Sequence, residues 1–165
     1  MPAAVSDSST LIHLAVLGRL GLLREFYDQV LIPPVVWKEV VEEGRGRAGA
    51  GEVEEASRSG WLKVMAPTDE LLLRLLKRDL GEGEAEAIAL VLEQKAEIIL
   101  LDESDARRVA DVCGLYKTGV IGLLMRAKRE GKIDSLRQEL DRLRQEGGLW
   151  ISDDLYQQAL EAGGE

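Results

Sequence analysis

Acidic side chains are the residues of this sequence that could carry out chemistry. The chain has 30 Asp and Glu residues but one histidine and one cysteine, so several imidazoles or thiolates cannot form a metal site. The single histidine, His13, lies in the apolar run of residues 11–14, which favours a place at the edge of the core over a catalytic role. Any chemistry of this chain must therefore be carried by carboxylates.

Two aspartates directly follow predicted strands. Asp7 comes after the short strand predicted at residues 2–6, and Asp102 comes after the fully apolar residues 98–101. If these strands are neighbours in a parallel sheet, their carboxyl ends lie at one edge and the two carboxylates converge. The alternative is that each aspartate only caps the helix that follows it, with Asp105 at the third position of the second helix. The sequence leaves both interpretations open.

Two glutamates are placed to reach the same edge of the sheet. Glu84 opens a helix predicted at residues 84–95 and shares the apolar face of that helix, so it should point toward the sheet. Glu39 lies about 8 Å along a helix predicted to begin at Pro34, where the second strand ends. An acid at the inward edge of an apolar face is costly unless something pairs with it. A shared cation would meet that requirement.

The elements that must position these acids alternate between strands and helices. Apolar segments predict strands at residues 2–6, 30–32, 61–65 and 98–101, with a short extended piece near 115–116. Helices are predicted at about 9–27, 34–43, 52–59, from 70, 84–95, 103–112, 119–130, 134–146 and 153–162. This alternation predicts an α/β fold, with a mostly parallel central sheet between two layers of helices and two C-terminal helices added.

The acidic motifs also follow one another in the order of a known family. They are Asp7-Ser8-Ser9 after a strand, Pro34-x-x-x-x-Glu39, Gly83-Glu84-Ala85 opening an apolar helix, and Leu100-Leu101-Asp102 ending a strand. Together they resemble the PIN-domain nucleases. The phrase GEAEAIAL, at residues 83–90, is similar to a branch of predicted PIN-like proteins related to VapC-type toxins. The resemblance implies a PIN-like three-layer α/β/α sandwich over a nuclease domain at residues 1–133. We expect residues 134–165 to form a helical extension that packs on the same domain.

The resemblance implies that Asp7, Glu39, Glu84 and Asp102 form an acidic quartet that holds Mg²⁺ or Mn²⁺. Such a metal would activate a water for hydrolysis of phosphodiester bonds in single-stranded RNA. We expect Ser9 to position a metal-bound water and Asp105 to be a reserve ligand. Most family members have Asp where this chain has Glu84, and Thr where it has Leu100; the longer acid at residue 84 can still bind the metal.

The charge balance limits how this chain could bind RNA. Its formal net charge is −9, which on average repels nucleic acid, so binding must use local cations. We expect phosphate contacts from two groups of residues: Arg45 and Arg47 in a glycine-rich loop, and Arg107, Arg108 and Lys117 beside the last site strand. The loop also matches the string G-x-G-x-x-G. A predicted helix, not a strand, precedes it, so it is not a dinucleotide fingerprint.

These observations predict a cytoplasmic Mg²⁺- or Mn²⁺-dependent endoribonuclease with an RNA substrate. The family likeness extends this expectation to a toxin role, with an antitoxin protein covering the acidic cleft, and to a homodimer. The tail leucines Leu136, Leu140 and Leu143 offer either a surface for self-association or part of the chain's own core. The lone cysteine, the absence of a signal-peptide layout and the lack of a long apolar segment favour the cytoplasm and no membrane association.

Two rival functions use the same residues. The first is a catalytically degenerate PIN scaffold that binds RNA or protein, its acids only capping helices, and the net charge favours this alternative. The second is a phosphatase with an aspartyl nucleophile at Asp7. It is disfavoured because the second aspartate, expected two residues later, is Ser9 in this chain.

Overall fold

A five-stranded parallel sheet forms the centre of the fold in the computed structural model, which describes residues 3–165. The strand order is β3-β2-β1-β4-β5, and every neighbouring pair is parallel. The strands are β1 (Ala3–Ser6), β2 (Gln29–Ile32), β3 (Leu62–Val64), β4 (Ile98–Leu100) and β5 (Lys117–Thr118). Residue 2, the first of the predicted strand at residues 2–6, lies outside the described residues.

Helices connect the strands and complete the C-terminal part of the chain. They are α1 (Ser8–Val16), α2 (Leu22–Phe26), α3 (Pro34–Trp37), α4 (Ala50–Arg58), α5 (Glu70–Lys77), α6 (Glu82–Gln94), α7 (Ser104–Val112), α8 (Val120–Arg129), α9 (Leu136–Gln145) and α10 (Asp153–Ala162). A π-helical turn, Lys38–Glu42, continues α3. The N–H of Glu43 donates to the carbonyl oxygen of Lys38 at 2.8 Å, five residues back, as in a π-helix. The helix predicted at residues 34–43 is therefore an α-helical turn followed by a π turn.

The sheet separates two hydrophobic cores. In β4, Leu100 packs with α1, α8 and the C-terminal helices, whereas Ile99 and the following Leu101 pack with α5, α6 and α7. Successive side chains of a strand point to opposite faces, so the near-continuous apolar strands serve both cores. Helices on both faces of a parallel sheet give the three-layer α/β/α sandwich, and this confirms the predicted fold class.

The two C-terminal helices belong to the same core as α1 and α8. Leu136, Leu140 and Leu143 are fully buried in it. Arg19, which follows α1, donates two hydrogen bonds to the carboxylate of Glu139 in α9, at 2.6 and 3.0 Å. The tail leucines therefore pack on the chain's own core, and the alternative in which they form a surface for self-association is wrong.

Two element boundaries differ from the predicted ones near the acids. Helix α6 begins at Glu82, two residues before the predicted start, and Gly81 is its N-cap. Strand β5 lies at residues 117–118, two residues after the extended piece predicted near 115–116. Among residues 3–165, none of the helices has the length and apolar character required to cross a membrane.

Candidate metal centre

A pocket of about 180 Å³ opens at the carboxyl edge of the sheet. It is formed by the start of α1, the π turn after α3, the start of α6 and the residue before α7. Its lining residues are Asp7, Ser8, Ser9, Glu39, Gly81, Glu82, Gly83, Glu84 and Glu103. Within residues 3–165, the lining includes five carboxylates and no lysine, arginine or histidine. The side chains that can coordinate a ligand here are therefore all oxygen donors.

Asp7 is the most deeply buried acid of the pocket, with 2% of its surface exposed. Its Oδ1 accepts the N–H of Thr10 at 2.9 Å, so it is also the N-cap of α1. Its Oδ2 accepts the N–H of Asp102 at 3.4 Å. Burial raises the pKa of the Asp7 carboxyl to about 7; the charge of Asp102 raises it too, while the hydrogen bonds lower it. Asp7 therefore both caps α1 and lines the pocket.

Glu39 enters the pocket from the π turn. It is exposed, and the Ser8 hydroxyl donates to its Oε2 at 3.0 Å. The start of α6 approaches it closely, since a Cβ on Gly83 would lie 3.0 Å from Glu39 Oε1. Gly83 therefore lets the first turn of α6 pack beside the Glu39 carboxylate.

Glu84 is half-buried in the first turn of α6 and is surrounded by other acids. Burial raises the pKa of its carboxyl most, and the charge of Glu103 is the next largest cause. The charges of Asp105 and Glu39 raise it further, while a hydrogen bond from the backbone of Gly81 lowers it. Glu84 therefore lies at the centre of the negative charge of the pocket.

The carboxylate of Asp102, in contrast, does not line the pocket. Its Oδ1 accepts the N–H of Val120, at the start of α8, at 2.8 Å. Its Oδ2 accepts the Thr10 hydroxyl at 3.1 Å and lies 2.8 Å from His13 Nδ1. Asp102 also does not cap α7, because the N-cap of that helix is Glu103. The structure thus gives Asp102 neither of its two expected places, in the quartet or as the cap of the next helix.

Strand pleating explains the orientation of Asp102. Ser6 pairs with Leu100 across β1 and β4, so Asp7 lies beside Leu101 and Asp102 lies one residue farther along. Leu101 packs in the core beneath α6, and the next side chain must point to the other face, toward α1 and α8. The two aspartates are therefore adjacent in space but belong to opposite faces of the sheet.

Glu103, the residue after Asp102, is a further acid of the pocket. It is exposed, lines the pocket, and is the largest charge contribution to the raised pKa of Glu84. Glu82, the first residue of α6, also lines the pocket. The sequence analysis missed both glutamates and the contact of Ser8 with Glu39. The alternation of side chains beyond β4 could have predicted that Glu103 faces the pocket. Glu82 could have been predicted only if the start of α6 had been placed correctly.

The reserve ligand Asp105 lies outside the lining of the pocket. It is paired with Arg108 in the first turn of α7, and both side chains are exposed. Arg107 donates from Nη1 to the carbonyl oxygen of Leu101 at 2.7 Å, so it holds the end of β4. Two of the five predicted phosphate contacts are therefore already bound to other groups of the chain.

Of the other three predicted phosphate contacts, one is engaged by another residue and two are not, within the described part of the chain. Lys117 is paired with Asp111. Arg45 and Arg47 are exposed in the turn between the π turn and α4, and no hydrogen bond or ion pair engages their side chains within residues 3–165. Among these cations, Arg45 and Arg47 are the ones available for a ligand.

The chemistry of the donors fits a hard divalent cation. The lining offers carboxylate and hydroxyl oxygens only, and burial raises the pKa values of both Asp7 and Glu84. A bound cation would offset the repulsion among these carboxylates. The side chains do not converge on one point, however: among residues 3–165, no three Asp, Glu, His or Cys side chains are grouped closely enough to hold a metal.

Comparisons with known proteins identify the family of this chain. A family model described as "DUF3368: PIN domain" matches residues 3–165. No curated protein matches the chain. Among solved structures, the chain is similar to a PilT N-terminus domain protein from the hyperthermophilic archaeon Sulfolobus solfataricus P2. The two are 19% identical, the match covers 74% of this chain and 90% of that one, and the TM-score is 0.49.

Proposed function

The chain belongs to the PIN-domain family described as DUF3368, and from this premise we propose that it is a metal-dependent endoribonuclease that cleaves single-stranded RNA. PIN domains are typically nucleases, which supports hydrolysis of a phosphodiester bond. The observation that carries the proposal is the pocket at the carboxyl edge of the sheet. Five carboxylates line it, and among residues 3–165 no lysine, arginine or histidine does. In parallel α/β folds, this edge is where ligands bind.

Four acids of the pocket are the proposed ligands of Mg²⁺ or Mn²⁺: Asp7, Glu39, Glu84 and Glu103. Hard divalent cations prefer oxygen ligands of this kind. When bound, such a cation lowers the pKa of a coordinated water and neutralises charge that develops on the phosphate oxygens. We assign Glu103 in place of Asp102, because both oxygens of Asp102 already accept hydrogen bonds away from the pocket.

The surrounding residues hold these acids in different ways. The N–H groups of Thr10 and Asp102 fix Asp7, so it is the rigid member of the set. Ser8 holds Glu39 through its hydroxyl. We propose that the hydroxyl of Ser9, which also lines the pocket, orients the attacking water.

RNA binding would use cations that the chain does not already engage. Arg45 and Arg47 are the predicted phosphate contacts whose side chains are free of other partners within the described residues 3–165. They follow the π turn that carries Glu39, so the RNA backbone would leave the pocket along this turn. Because only a few cations of the described residues are proposed to contact phosphate, binding should weaken only modestly as the salt concentration rises.

A toxin role rests on the family likeness alone. An antitoxin that inhibited this enzyme by covering the pocket would need positively charged side chains, because five carboxylates line it.

The second candidate function is the degenerate scaffold that binds RNA or protein without cleaving it. One observation favours it specifically: no three possible ligands among residues 3–165 are grouped closely enough for a metal. Under this alternative the buried charge of Asp7 would be tolerated for the sake of its cap on α1.

Cleavage of single-stranded RNA in the presence of Mn²⁺ tests the proposal. We expect the wild-type protein to cleave, and Asp7→Asn to lose at least about a hundredfold in rate, since a metal site contributes several kcal/mol to such reactions. Asp154→Asn, an exposed acid at the start of α10, is the matched control and should cleave normally. Cleavage by Asp7→Asn at the wild-type rate would overturn the assignment.

Metal linkage separates the two candidate functions. A ligand that binds only the folded state raises the melting temperature. Mn²⁺ should therefore stabilise the wild-type protein, and should stabilise Asp7→Asn less. If Mn²⁺ shifts neither melting temperature and no RNA is cleaved, the scaffold alternative is correct.

A further inference from the structure

A groove of about 570 Å³ lies between helix α4 and the segment that links α1 to α2. Its walls carry little side-chain bulk, because three of its lining residues are glycines. Beyond its own chain neighbours, a Cβ on Gly18, Gly21 or Gly51 would meet no atom within 4 Å. The groove is therefore open space that a flat group can enter.

One aromatic side chain lines this groove. Trp61 is half-buried, and part of it packs against the hydrophobic core. Its backbone is fixed as well, since its carbonyl oxygen accepts the N–H of Val30 at 2.9 Å. A tryptophan offers a large contact surface at a low cost in conformational entropy. Aromatic side chains of this kind stack on the bases of single-stranded nucleic acids.

The rim of the groove carries charges of both signs. Arg24 is exposed, and no hydrogen bond or ion pair engages its side chain within residues 3–165. Glu55 is exposed too; it accepts the Ser59 hydroxyl at 3.3 Å, and Arg58 lies 3.8 Å from its other oxygen. A carboxylate has lone pairs for further donors. A nucleotide matches this rim, because it has a phosphate for the arginine and base amino groups for the carboxylate.

The groove is continuous with the RNA path proposed above. The arginine loop, residues 44–49, ends beside it: a Cβ on Gly49 would lie 3.3 Å from Val40 of the π turn and 3.8 Å from Ala15 of α1. Ala15 lines the groove, and it lies six residues, or about 9 Å, along α1 from Ser9 of the acidic pocket. An RNA strand that leaves the pocket along the arginine loop therefore reaches the groove within a few nucleotides.

We infer that this groove binds one base of the RNA substrate, stacked on Trp61, and that Glu55 selects a base with an exocyclic amino group. The inference rests on the proposed function, because it gives the same RNA a second contact away from the cleaved bond. A helix of a partner protein is the other occupant that grooves accept. The charged rim favours the base, because a helix that docks in a groove buries an apolar face.

Filling the groove is the first test. Gly51→Met places a side chain in open space and should keep α4 folded, because methionine is a better helix former than glycine. Fluorescence anisotropy measures the binding of a labelled single-stranded oligoribonucleotide with Mn²⁺ present, in the Asp7→Asn background so that cleavage does not interfere. Gly51→Met should weaken binding at least about fivefold, the lower limit for one stacked base. Gln158→Met, at an exposed position of α10, is the matched control and should not change the affinity.

The outcomes separate this inference from the proposed nuclease activity. If Gly51→Met is folded by circular dichroism and binds the oligonucleotide as tightly as its parent, the inference is overturned, even where the wild type cleaves RNA. The groove would then be free for a partner protein. If Gly51→Met weakens binding but the wild type cleaves nothing, the groove is supported and the nuclease is contradicted. A parent protein that binds no single-stranded RNA would also overturn the inference.

The identity of the base provides a sharper test. Removing the bases of the oligonucleotide one at a time should weaken binding at one position. That loss should disappear in Gly51→Met, because both changes remove the same contact. At this position cytosine should bind about threefold tighter than uracil, since the amino group of cytosine donates to Glu55 where uracil has a carbonyl oxygen. Glu55→Gln should reduce this preference. A base whose removal costs the same in both proteins, or equal binding of cytosine and uracil, would contradict the inference.

Discussion

Asp7 and Asp102 are neighbours whose surroundings are opposite in kind. Each follows an apolar strand, and the N–H of Asp102 donates to the Asp7 carboxylate. Asp102 is surrounded by donors from α1 and α8, namely the Val120 N–H, the Thr10 hydroxyl and His13. Asp7 is more deeply buried, is fixed mainly by the N–H of Thr10, and faces a pocket of other acids. The same sequence context thus produces a structural acid on one face of the sheet and a site acid on the other.

The difference indicates that the acids of a binding site can be recognised because hydrogen-bond donors or opposite charges of the protein do not fully satisfy them. The hydrogen bonds around Asp102 satisfy its carboxylate within the protein, so it needs nothing further for stability. In the pocket, the charges of Glu103 and Glu39 raise the pKa of Glu84, and the charge of Asp105, outside the lining, raises it further. Carboxylates without opposite charges lower the stability of the folded protein, and a bound cation would raise it again. This is the usual trade-off between stability and function.

The largest effect is expected when the satisfied acid is removed. Asp102→Ala would leave the Val120 N–H, the Thr10 hydroxyl and His13 without their acceptor at a largely buried position. Unsatisfied buried groups cost about 1 to 3 kcal/mol each, so we expect a loss of about 3 to 5 kcal/mol in the free energy of unfolding. Urea unfolding measures it. A loss below about 1 kcal/mol would mean that the network does not stabilise the fold.

The opposite sign is expected for the site acid. The pKa of Asp7 is about 7 in the folded protein, against 3.8 when it is unperturbed. The folded state therefore binds more protons between pH 4 and 7, and stability falls as the pH rises through that window. A difference of one unit between the folded and unfolded pKa corresponds to about 1.36 kcal/mol. Asp7→Asn should therefore stabilise the metal-free protein by about 2 to 4 kcal/mol at pH 8. It should have a much smaller effect at pH 4, where the wild-type carboxyl is neutral in the folded state and about two-fifths protonated in the unfolded state.

Urea unfolding with a chelator present, at pH 4 and pH 8, checks this second prediction. Asp154→Asn serves as the control, because its exposed carboxylate should change stability little at either pH. Equal stability of Asp7→Asn and the wild type at pH 8 would show that the Asp7 charge is not costly in the fold.

The smallest expected effect distinguishes Glu103 from Asp102 directly. Glu103→Gln should weaken Mn²⁺ binding about tenfold, or about 1.4 kcal/mol, because it removes one pocket carboxylate. Asp102→Asn keeps an oxygen for the Val120 N–H and should change Mn²⁺ affinity less than about threefold. Isothermal titration calorimetry measures both. A reversed order of the two variants would return Asp102 to the ligand set.

The sequence was sufficient for the architecture and for three of the pocket acids. Apolar segments alternating with helical patterns predicted the parallel sheet, and strand ends placed Asp7 at the correct edge. The apolar face of α6 predicted that Glu84 points inward, and the start of α3 placed Glu39 nearby. All three line one pocket.

Asp102 as a metal ligand stays a prediction, and its place in the structure depends on one residue of register. The choice between Asp102 and Glu103 depends on whether Leu101 still follows the pleat of β4, and its burial beneath α6 shows that it does. A sequence pattern locates a strand end only to within a few residues, whereas a shift of one residue moves a side chain to the other face. The contact of His13 with Asp102 joins α1 to the end of β4, so no local pattern could reveal it.

Anomalous diffraction from a crystal soaked in Mn²⁺ tests the central claim most directly. Our account predicts one or more peaks in the pocket at the sheet edge, bound by Asp7 together with Glu39, Glu84 or Glu103, while Asp102 keeps its bonds to Val120 and His13. A fully soaked crystal with no peak in that pocket would contradict the account, as would a Mn²⁺ ion bound to Asp102 with the glutamates turned away.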